Sequence, residues 1–578
     1  MTKIFNDPAS FAEDQLEGFV SLYSDRLRAV PGGVVSHRTD TDQVGVVIGG
    51  GSGHYPAFCG TVGPGFATGA VVGNIFTSPS TAQAYSVAKA ANQGKGVVFS
   101  FGNYAGDNMN FGLAAQRLRD EGIDTRIVVV TDDVASADEV SKRRGIAGDF
   151  TVFKVMGAAS AEGQDLDAVE RAGNLANDAT RSLGVAFSGC TMPGSTDPLF
   201  SVPEGHLGLG LGIHGEPGIK DVPLLPADEL AELLVDRLLD SAPTVLGGKP
   251  VGKRVAPILN GLGTTKYEEL FLLWAHVSRR LLDAGFELIE PEVGELVTSL
   301  DMGGCSLTLM WLDEELERYW RADAYTPAYR KVSAATAGLR AASKDNAQVA
   351  TADDAEYLAT DAAIALGARV RTGLQRMQST LVEHEDELAR IDAIAGDGDH
   401  GRGMVKGIRA AVEAACALPD GSGAARVLSS AGRAWAERAG GTSGVLWGSA
   451  LEAMGRSLTD DRESHSDNDI ADSIAAFTDA ISELGRAEVG DKTMLDSMTP
   501  FVSTLKKRVG EVGLAPAWVE AAAESTQAAT ATADLRPKVG RARPLAEKSL
   551  GHPDAGATSF ALLVTELGDW LTTTEETS

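Results

Sequence analysis

At 578 residues the chain is too long for one hydrophobic core, so roughly two to four domains are expected. A 43% hydrophobic and 23% charged composition is that of a soluble globular protein and excludes a disordered or membrane-embedded one. With 51 basic against 80 acidic residues, the net charge of −29 disfavours nucleic acid and anionic membranes as partners, so an anionic substrate or nucleotide needs a locally positive or metal-loaded site.

The four cysteines, Cys59, Cys190, Cys305 and Cys416, are scattered without a CxxC pair, which reads as reduced thiols rather than a disulfide frame or a zinc site. The first residues carry no charged-then-apolar leader pattern, and no run approaches about 18 apolar residues, so a cytoplasmic protein is expected.

Leu16, Phe19, Val20 and Tyr23 form an i, i+3, i+4, i+7 stripe that predicts a first helix. Short β-branched runs follow at 44–48, 96–101 and 126–131, with helical stretches at 81–92 and 110–121 between them. This alternation predicts a parallel sheet flanked by helices, with ligands at the carboxyl ends of its strands. The glycine-rich stretch GGGSGH (49–54) fails the dinucleotide pattern because His54 stands where a third glycine or alanine is needed, yet its glycines point to close backbone approach. After the next strand, Asp107 in GNYAGDN reads equally as a helix cap or as a functional acid.

A second α/β region is expected from about residue 186, with strands at 254–259, 286–291 and 306–311. Its LGLGLGIHGEPG stretch (207–218) places His214 in a stiff, accessible glycine loop. Residues 332–352 are small and polar and read as a linker. Beyond them the pattern is helical throughout. Leu366, Val370, Leu374, Met377 and Leu381 share one face, and further helices are predicted over 424–439, 445–457, 469–485, 500–509, 516–531 and 557–572.

In this half the chemistry must sit in loops. DAIAGDGDHG (392–401) gathers Asp392, Asp397 and Asp399 on a glycine-rich turn, where several carboxylate oxygens can converge on a hard cation such as magnesium. A calcium loop is ruled out, since its closing position counted from Asp397 falls on Ile408 instead of Glu. GGTSG (440–444) opens a helix and offers amides and hydroxyls to an anion, and GHPDAGAT (551–558) is a similar entry. GRAEVGDKT (485–493) approaches a phosphate-binding P-loop, but Asp491 displaces the lysine and no strand precedes it.

Taken together these motifs resemble the single-chain, ATP-dependent dihydroxyacetone kinases over essentially the whole length. The first half carries GGGSGH (49–54), NIFTSP (74–79), NYAGD (103–107), GIHGEPG (212–218) and TSLDM (298–302). The second carries GDGDHG (396–401), GGTSG (440–444), GDKTM (490–494) and GHPDAGATS (551–559). The resemblance implies a ketose-binding α/β domain over 1–331, in two α/β subdomains of about 1–185 and 186–331. A linker over 332–352 follows, and then an ATP- and magnesium-binding all-α domain over 353–578, an antiparallel barrel of about eight helices. It implies that His214 adds to the ketone carbon as a covalent hemiaminal and that Asp107 and His54 serve the substrate hydroxyls. Gly51, Ser52 and Gly53 are implied as further ketose contacts. Asp392, Asp397 and Asp399 are implied as ligands of magnesium, as two ions, with ATP as co-substrate. Thr442 and Ser443 are implied at the phosphates, Met494 by the adenine, and His400, Gly401, Gly441, Arg541, Asp554 and Gly556 among the other nucleotide contacts. A homodimer with an active site completed between domains is also implied.

Three positions depart from the family's GSGHEP, GEIFTSP and KNYTGD patterns: Tyr55, Asn74 and Gly102 replace Glu, Glu and Lys. This reads either as a pocket altered for a longer ketose, with erythrulose leading, or as drift around an unchanged one. Competing functions are a catalytically silent ketose-binding regulatory protein and a phosphorelay-type dihydroxyacetone phosphotransferase. The intact acids and the fused architecture favour the ATP-dependent kinase. An FAD-cyclising side activity also occurs in the family.

Overall fold

The computed structural model describes residues 2–37, 42–216, 218–336, 359–439, 441–539 and 543–576. Arg541, Pro217, Gly440 and the linker beyond residue 336 lie outside the described residues. The chain divides into two compact units, Met1–Lys344 and Asp345–Ser578.

Among the described residues the first unit holds two large sheets and two small two-stranded ones. One runs, in spatial order, Leu27–Val30, Gly33–Ser36, Gly69–Ile75, Gly45–Ser52, Val97–Gly102 and Thr125–Val130. The last four strands pair in parallel, and the first two form an antiparallel hairpin on the edge. Val97–Gly102 is buried along its whole length, as expected of a strand covered on both faces. Helix Thr81–Ala91 starts on a capping box in which Ser80 and Gln83 satisfy each other's main-chain N–H groups. Helix Ala105–Asp120 begins earlier than the sequence suggested, directly after the strand, which brings Asp107 into its first turn.

GGGSGH is not a loop up to its fifth residue. Gly49, Gly50 and Gly51 lie within the strand Gly45–Ser52, paired with Val71, Val72 and Gly73. Their lack of side chains serves internal packing, since a Cβ on Gly49 would stand 2.7 Å from the Val71 oxygen and one on Gly51 2.6 Å from the Thr77 nitrogen.

The second sheet runs Glu287–Leu288, Arg254–Gly261, Gly303–Trp311, Thr180–Ser188, His206–Leu209 and Lys220–Pro223, and is mostly antiparallel. The strand expected at 286–291 splits into Glu287–Leu288 and Glu292–Gly294. Glu290, at φ 43°, breaks the extended run, and Pro291 has no N–H to offer a ladder. Helices Ala227–Asp240 and Tyr267–Asp283 pack against each other and cover this sheet with Leu230, Leu234, Leu270 and Val277.

The second unit contains helices and no strand among the described residues. Among the described residues ten helices are present where about eight were expected. One reason is that the helix leading to Asp392 breaks at His384 into Asp361–Glu383 and Glu385–Asp392. Another is a single-turn helix, Ala546–Ser549, before the last one. From His400–Ala417 through Ala424–Ala439, Gly441–Leu458, Asp467–Gly485, Leu495–Val512 and Leu514–Ala531, each helix packs on the next. The final helix, Ala555–Glu576, packs on both Leu514–Ala531 and Asp361–Glu383. Trp435 and Trp447 stack at 5.1 Å in the core, and Gly407 permits this because a Cβ there would stand 2.4 Å from Trp435 Nε1. Among the described residues no helix is long and apolar enough to cross a membrane.

Candidate active site

In the first unit, the two predicted histidines meet. His214 sits in the turn after His206–Leu209, and its Nε2 lies 3.0 Å from His54 Nε2. The other nitrogen of each ring is held by the protein: His54 Nδ1 faces the Thr298 carbonyl at 2.7 Å, and His214 Nδ1 faces Glu216 Oε1 at 2.8 Å. Glu216 Oε2 also accepts the His214 main-chain N–H at 3.0 Å. A carbonyl only accepts, so His54 Nδ1 carries the hydrogen and its Nε2 presents a lone pair toward His214.

These contacts shift protonation in opposite directions. Burial, helped by the charge of His214, pushes His54 down to about 3. Burial works to raise the Glu216 carboxyl, but the hydrogen bond and charge of His214 and two main-chain N–H groups outweigh it and hold it at about 2. Thus Glu216 is an anion and His54 a neutral ring across the working pH range.

Around the pair stand residues without an assigned role in the sequence. Phe76 stacks on His54 with ring centres 5.1 Å apart and meets His214 edge-on at the same distance. Its φ of 53° is a left-handed backbone carried by a bulky residue, the kind of strain that gathers at functional sites. Tyr104 meets His214 edge-on at 4.9 Å and donates its hydroxyl to the Gly145 carbonyl at 3.0 Å.

Asp107 is buried in the first turn of Ala105–Asp120 and accepts a hydrogen bond from Ser78 Oγ at 2.9 Å. Burial lifts its carboxyl to about 6, with Ser78 and the charge of His214 opposing. It is not a helix cap. A carboxylate titrating there suits a general base.

Gly53 lies against the Phe76 and Leu300 side chains, while the Ser52 hydroxyl is committed to the Gly73 carbonyl. Of the three departures, only Gly102 is buried by these rings: a Cβ on it would stand 3.0 Å from Tyr104 Cε2. Asn74 is exposed and accepts the Ile75 N–H at 2.7 Å, and Tyr55, also exposed, lines one cleft together with Gly51, Ser52, Gly53, Thr298 and Leu300.

In the second unit, Asp392 ends one helix and Asp399 precedes the next, so the intervening turn folds all three acids together. One ligand oxygen from each of Asp392, Asp397 and Asp399 lies within 4.8 Å of the others. Gly398, at φ 76°, makes the turn and donates its N–H to Asp392 Oδ2 at 2.9 Å. Gly396 leaves the room, since a Cβ there would stand 2.4 Å from Asp392 Oδ1. Oxygen donors at this spacing fit a hard divalent cation.

The last glycine loop joins this turn. Asp392, Gly396, Lys492, His552 and Asp554 line one small cavity. Burial pushes the Asp554 carboxyl up to about 6, and Asp392 is among the nearby charges that raise it. Gly556 faces Asp554 and Met494, bringing three expected nucleotide residues to one place. Thr442 and Ser443 stand in the first turn of Gly441–Leu458, which packs on the helix beginning at His400. His400 is buried, with Nε2 3.0 Å from Ser559 Oγ. Rejecting a P-loop at 485–493 is upheld: Lys492 turns its ammonium inward to the Leu535 and Ser549 carbonyls, and a helix rather than a strand precedes it.

Known proteins resemble the chain over almost its whole length. Residues 17–328 match the Dak1 domain and residues 394–569 the DAK2 domain. The D-erythrulose kinase of Mycolicibacterium smegmatis is 57% identical over 99% of both chains. The L-erythrulose kinase of Pectobacterium atrosepticum is 51% identical over 98% of this chain and 95% of that protein. The crystal structure of the dihydroxyacetone kinase from C. freundii in complex with AMP-PNP and Mg2+ covers 98% of this chain and 99% of its own, with 29% identity and a TM-score of 0.57. The chain belongs to the dihydroxyacetone kinase family.

Proposed function

We propose that this protein transfers the terminal phosphoryl group of ATP to a terminal hydroxyl of a short ketose, with a four-carbon erythrulose as the leading substrate and dihydroxyacetone as a shorter one. The two relatives named as erythrulose kinases and the side-chain-free Gly102 beside Tyr104 support the longer sugar.

The observation that carries the reading is how His214 is held. Its Nδ1 is fixed on an anionic carboxylate and its Nε2 faces a neutral ring nitrogen. In the free enzyme the hydrogen between the two Nε2 atoms rests on His214. For capture it moves to His54, and the freed Nε2 lone pair bonds to the keto carbon. The C=O π pair goes onto oxygen, which takes the proton back from His54, leaving a hemiaminal hydroxyl with no net proton change. His54, a weak base here, is correspondingly a strong acid once protonated. Asp107 then takes the proton of the terminal hydroxyl as its oxygen attacks the phosphorus and ADP departs.

Asp392, Asp397 and Asp399 hold magnesium, as two ions. When bound, the metal spreads the negative charge that builds on the phosphoryl oxygens. Thr442 and Ser443 serve the nucleotide phosphates, Met494 the adenine, and His400, Gly401, Gly441, Arg541, Asp554 and Gly556 are further nucleotide contacts. In this reading residues 1–331 form the ketose domain, 332–352 the linker, and 353–578 an antiparallel helical barrel. Packing of the last helix on the first supports such a closed ring. A homodimer in which the two functions meet completes the proposal.

The test is ADP release with dihydroxyacetone, D-erythrulose, L-erythrulose or glycerol, each with and without magnesium. Release with a ketose and magnesium, but not with glycerol or without metal, is expected. Release independent of any ketose would overturn the reading.

A further inference from the structure

Glu216 does not hold His214 alone. Arg144, on the stretch between Thr125–Val130 and Asp149–Ala161, aims its Nη1 at Glu216 Oε2 from 3.9 Å. Its other nitrogens are anchored: Nε donates to Asp133 Oδ2 at 3.0 Å, Nη2 pairs with the same oxygen at 2.8 Å, and Nη2 donates to the Gly210 carbonyl at 3.3 Å. Main chain locks the same pair, Asp133 N–H donating to the Arg144 carbonyl at 3.1 Å. The Asp133 side chain is 2% exposed and that of Arg144 14%, so water screens these charges little.

An independent observation concerns Gly212. A Cβ there would stand 2.1 Å from Glu216 Oε2 and 2.8 Å from Arg144 Nη1. The carboxylate and the guanidinium therefore meet over the bare face of this glycine, in the volume any side chain would occupy. Charges alternate along the row Asp133, Arg144, Glu216, and the row ends on the ring that captures the ketose.

We propose that Arg144 is a positioning residue for ketose capture: anchored by Asp133 and facing Glu216 across Gly212, it aims the carboxylate at His214 Nδ1 and draws off enough of its charge that the imidazole can give up the Nε2 proton. This rests on His214 being the capturing nucleophile. Without Arg144, the full charge of Glu216 falls on His214 and holds the Nε2 proton more firmly in place, so the lone pair needed for attack is harder to free. The other groups facing His214 are the neutral His54, Asp107, and the rings of Tyr104 and Phe76. Burial lifts both Asp107 and Asp133 to about 6, so the informative quantity is the difference between Arg144→Met and Arg144→Lys, which keeps a cation beside Asp133.

The experiment uses the full chain carrying Arg144→Met, Arg144→Lys or Gly212→Ala. The fastest of D-erythrulose, L-erythrulose and dihydroxyacetone serves as substrate, from about pH 5.5 to 9. For Arg144→Met, kcat/KM for the ketose is expected to fall roughly 10- to 100-fold near pH 7, with the KM for ATP unchanged, the acid limb moved to higher pH, and the loss shrinking in alkali. Arg144→Lys keeps the charge and restores most of the rate. Gly212→Ala, which keeps every charge of the row but puts a methyl between Glu216 and Arg144, is expected to reproduce the Met phenotype, which covers the case in which Arg144→Met fails to fold. An unchanged profile, or a loss equal at every pH, overturns the proposal. If His214→Ala keeps its ketose turnover, the capture reading itself fails, whatever Arg144 does.

Discussion

Replacing Asp107 with Asn should lower turnover and raise stability together. The carboxyl is lifted from 3.8 to about 6 by burial, a shift of about 2 units, which corresponds to roughly 3 kcal/mol between its two protonation states. Because the folded-state value lies above the unfolded one, the folded protein holds this proton more tightly. The associated stability is complete below 3.8 and is lost as pH rises through about 6. At pH 8 the ionised Asp107 therefore costs the fold up to about 3 kcal/mol, and Asn, which keeps the acceptor for Ser78, relieves much of that. The same change removes the group that takes the hydroxyl proton, worth typically about 10²- to 10⁴-fold. The assay is kcat at saturating ATP and magnesium across pH, with thermal melts on the same samples. Wild type should lose activity as pH falls through about 6, and the variant should lack that limb. Retention of more than about a tenth of wild-type kcat, or a variant limb still near that pH, refutes the base assignment.

Asp397→Asn combined with Asp399→Asn should cost at least about 10³-fold in kcat while ketose capture persists, read as loss of the ¹³C carbonyl signal of labelled ketose. Unimpaired ATP turnover would show that the three-acid turn does not hold the metal. His214→Ala should abolish both ketose turnover and the loss of that carbonyl signal; a variant that still prefers ketose over glycerol contradicts covalent selection. Gly407→Ala drives a methyl into the Trp435 indole and should destabilise the helical unit by about 1–3 kcal/mol, seen as an earlier melt with little change in tryptophan-free parts of the first unit. An unaltered melt would mean the Trp435–Trp447 stack shifts at no cost.

The parts of this fold that were legible in sequence are those whose local pattern matches their surroundings. Strands Val97–Gly102 and Thr125–Val130 are β-branched runs ended by turn residues, and they were read within a residue of their ends. Helix Asp149–Ala161 was invisible because it is buried almost all round, which erases the amphipathic period. The hairpin Leu27–Val30 and Gly33–Ser36 is too short to show alternation. In the helical unit, the helix expected from Pro500 begins at Leu495, because proline was read as a starting residue and instead sits inside the helix. Of the site, His54, His214 and Asp107 came from motifs, and Glu216 lay inside a quoted motif without a role. Its part depends on a turn that folds it back on a residue two places earlier. Tyr104 and Phe76 likewise lay inside NYAGD and NIFTSP without a role, and Arg144 gave no signal, since only tertiary packing brings it to Glu216.

Covalent capture and chain-length choice differ in how much discrimination each can supply. A pocket of hydrogen bonds distinguishes a ketone from an alcohol poorly, because both present one oxygen to the same donors. The proposed bond from His214 to the keto carbon would remove the alcohol from competition altogether, since it has no electrophilic carbon to accept the ring nitrogen. Length has no such chemical handle. Filling or leaving empty the space of one carbon is worth about 1–3 kcal/mol, or roughly 10- to 200-fold. In the proposed pocket the wall that would set it is Tyr104 over Gly102, where a Cβ would stand 3.0 Å from the ring. Dihydroxyacetone should thus be phosphorylated too, at no less than about a two-hundredth of the erythrulose kcat/KM. Gly102→Ala, by pressing Tyr104 toward His214, should narrow that gap. Should Gly102→Ala leave the ratio of the two ketoses untouched, Tyr104 is not the wall that measures the sugar.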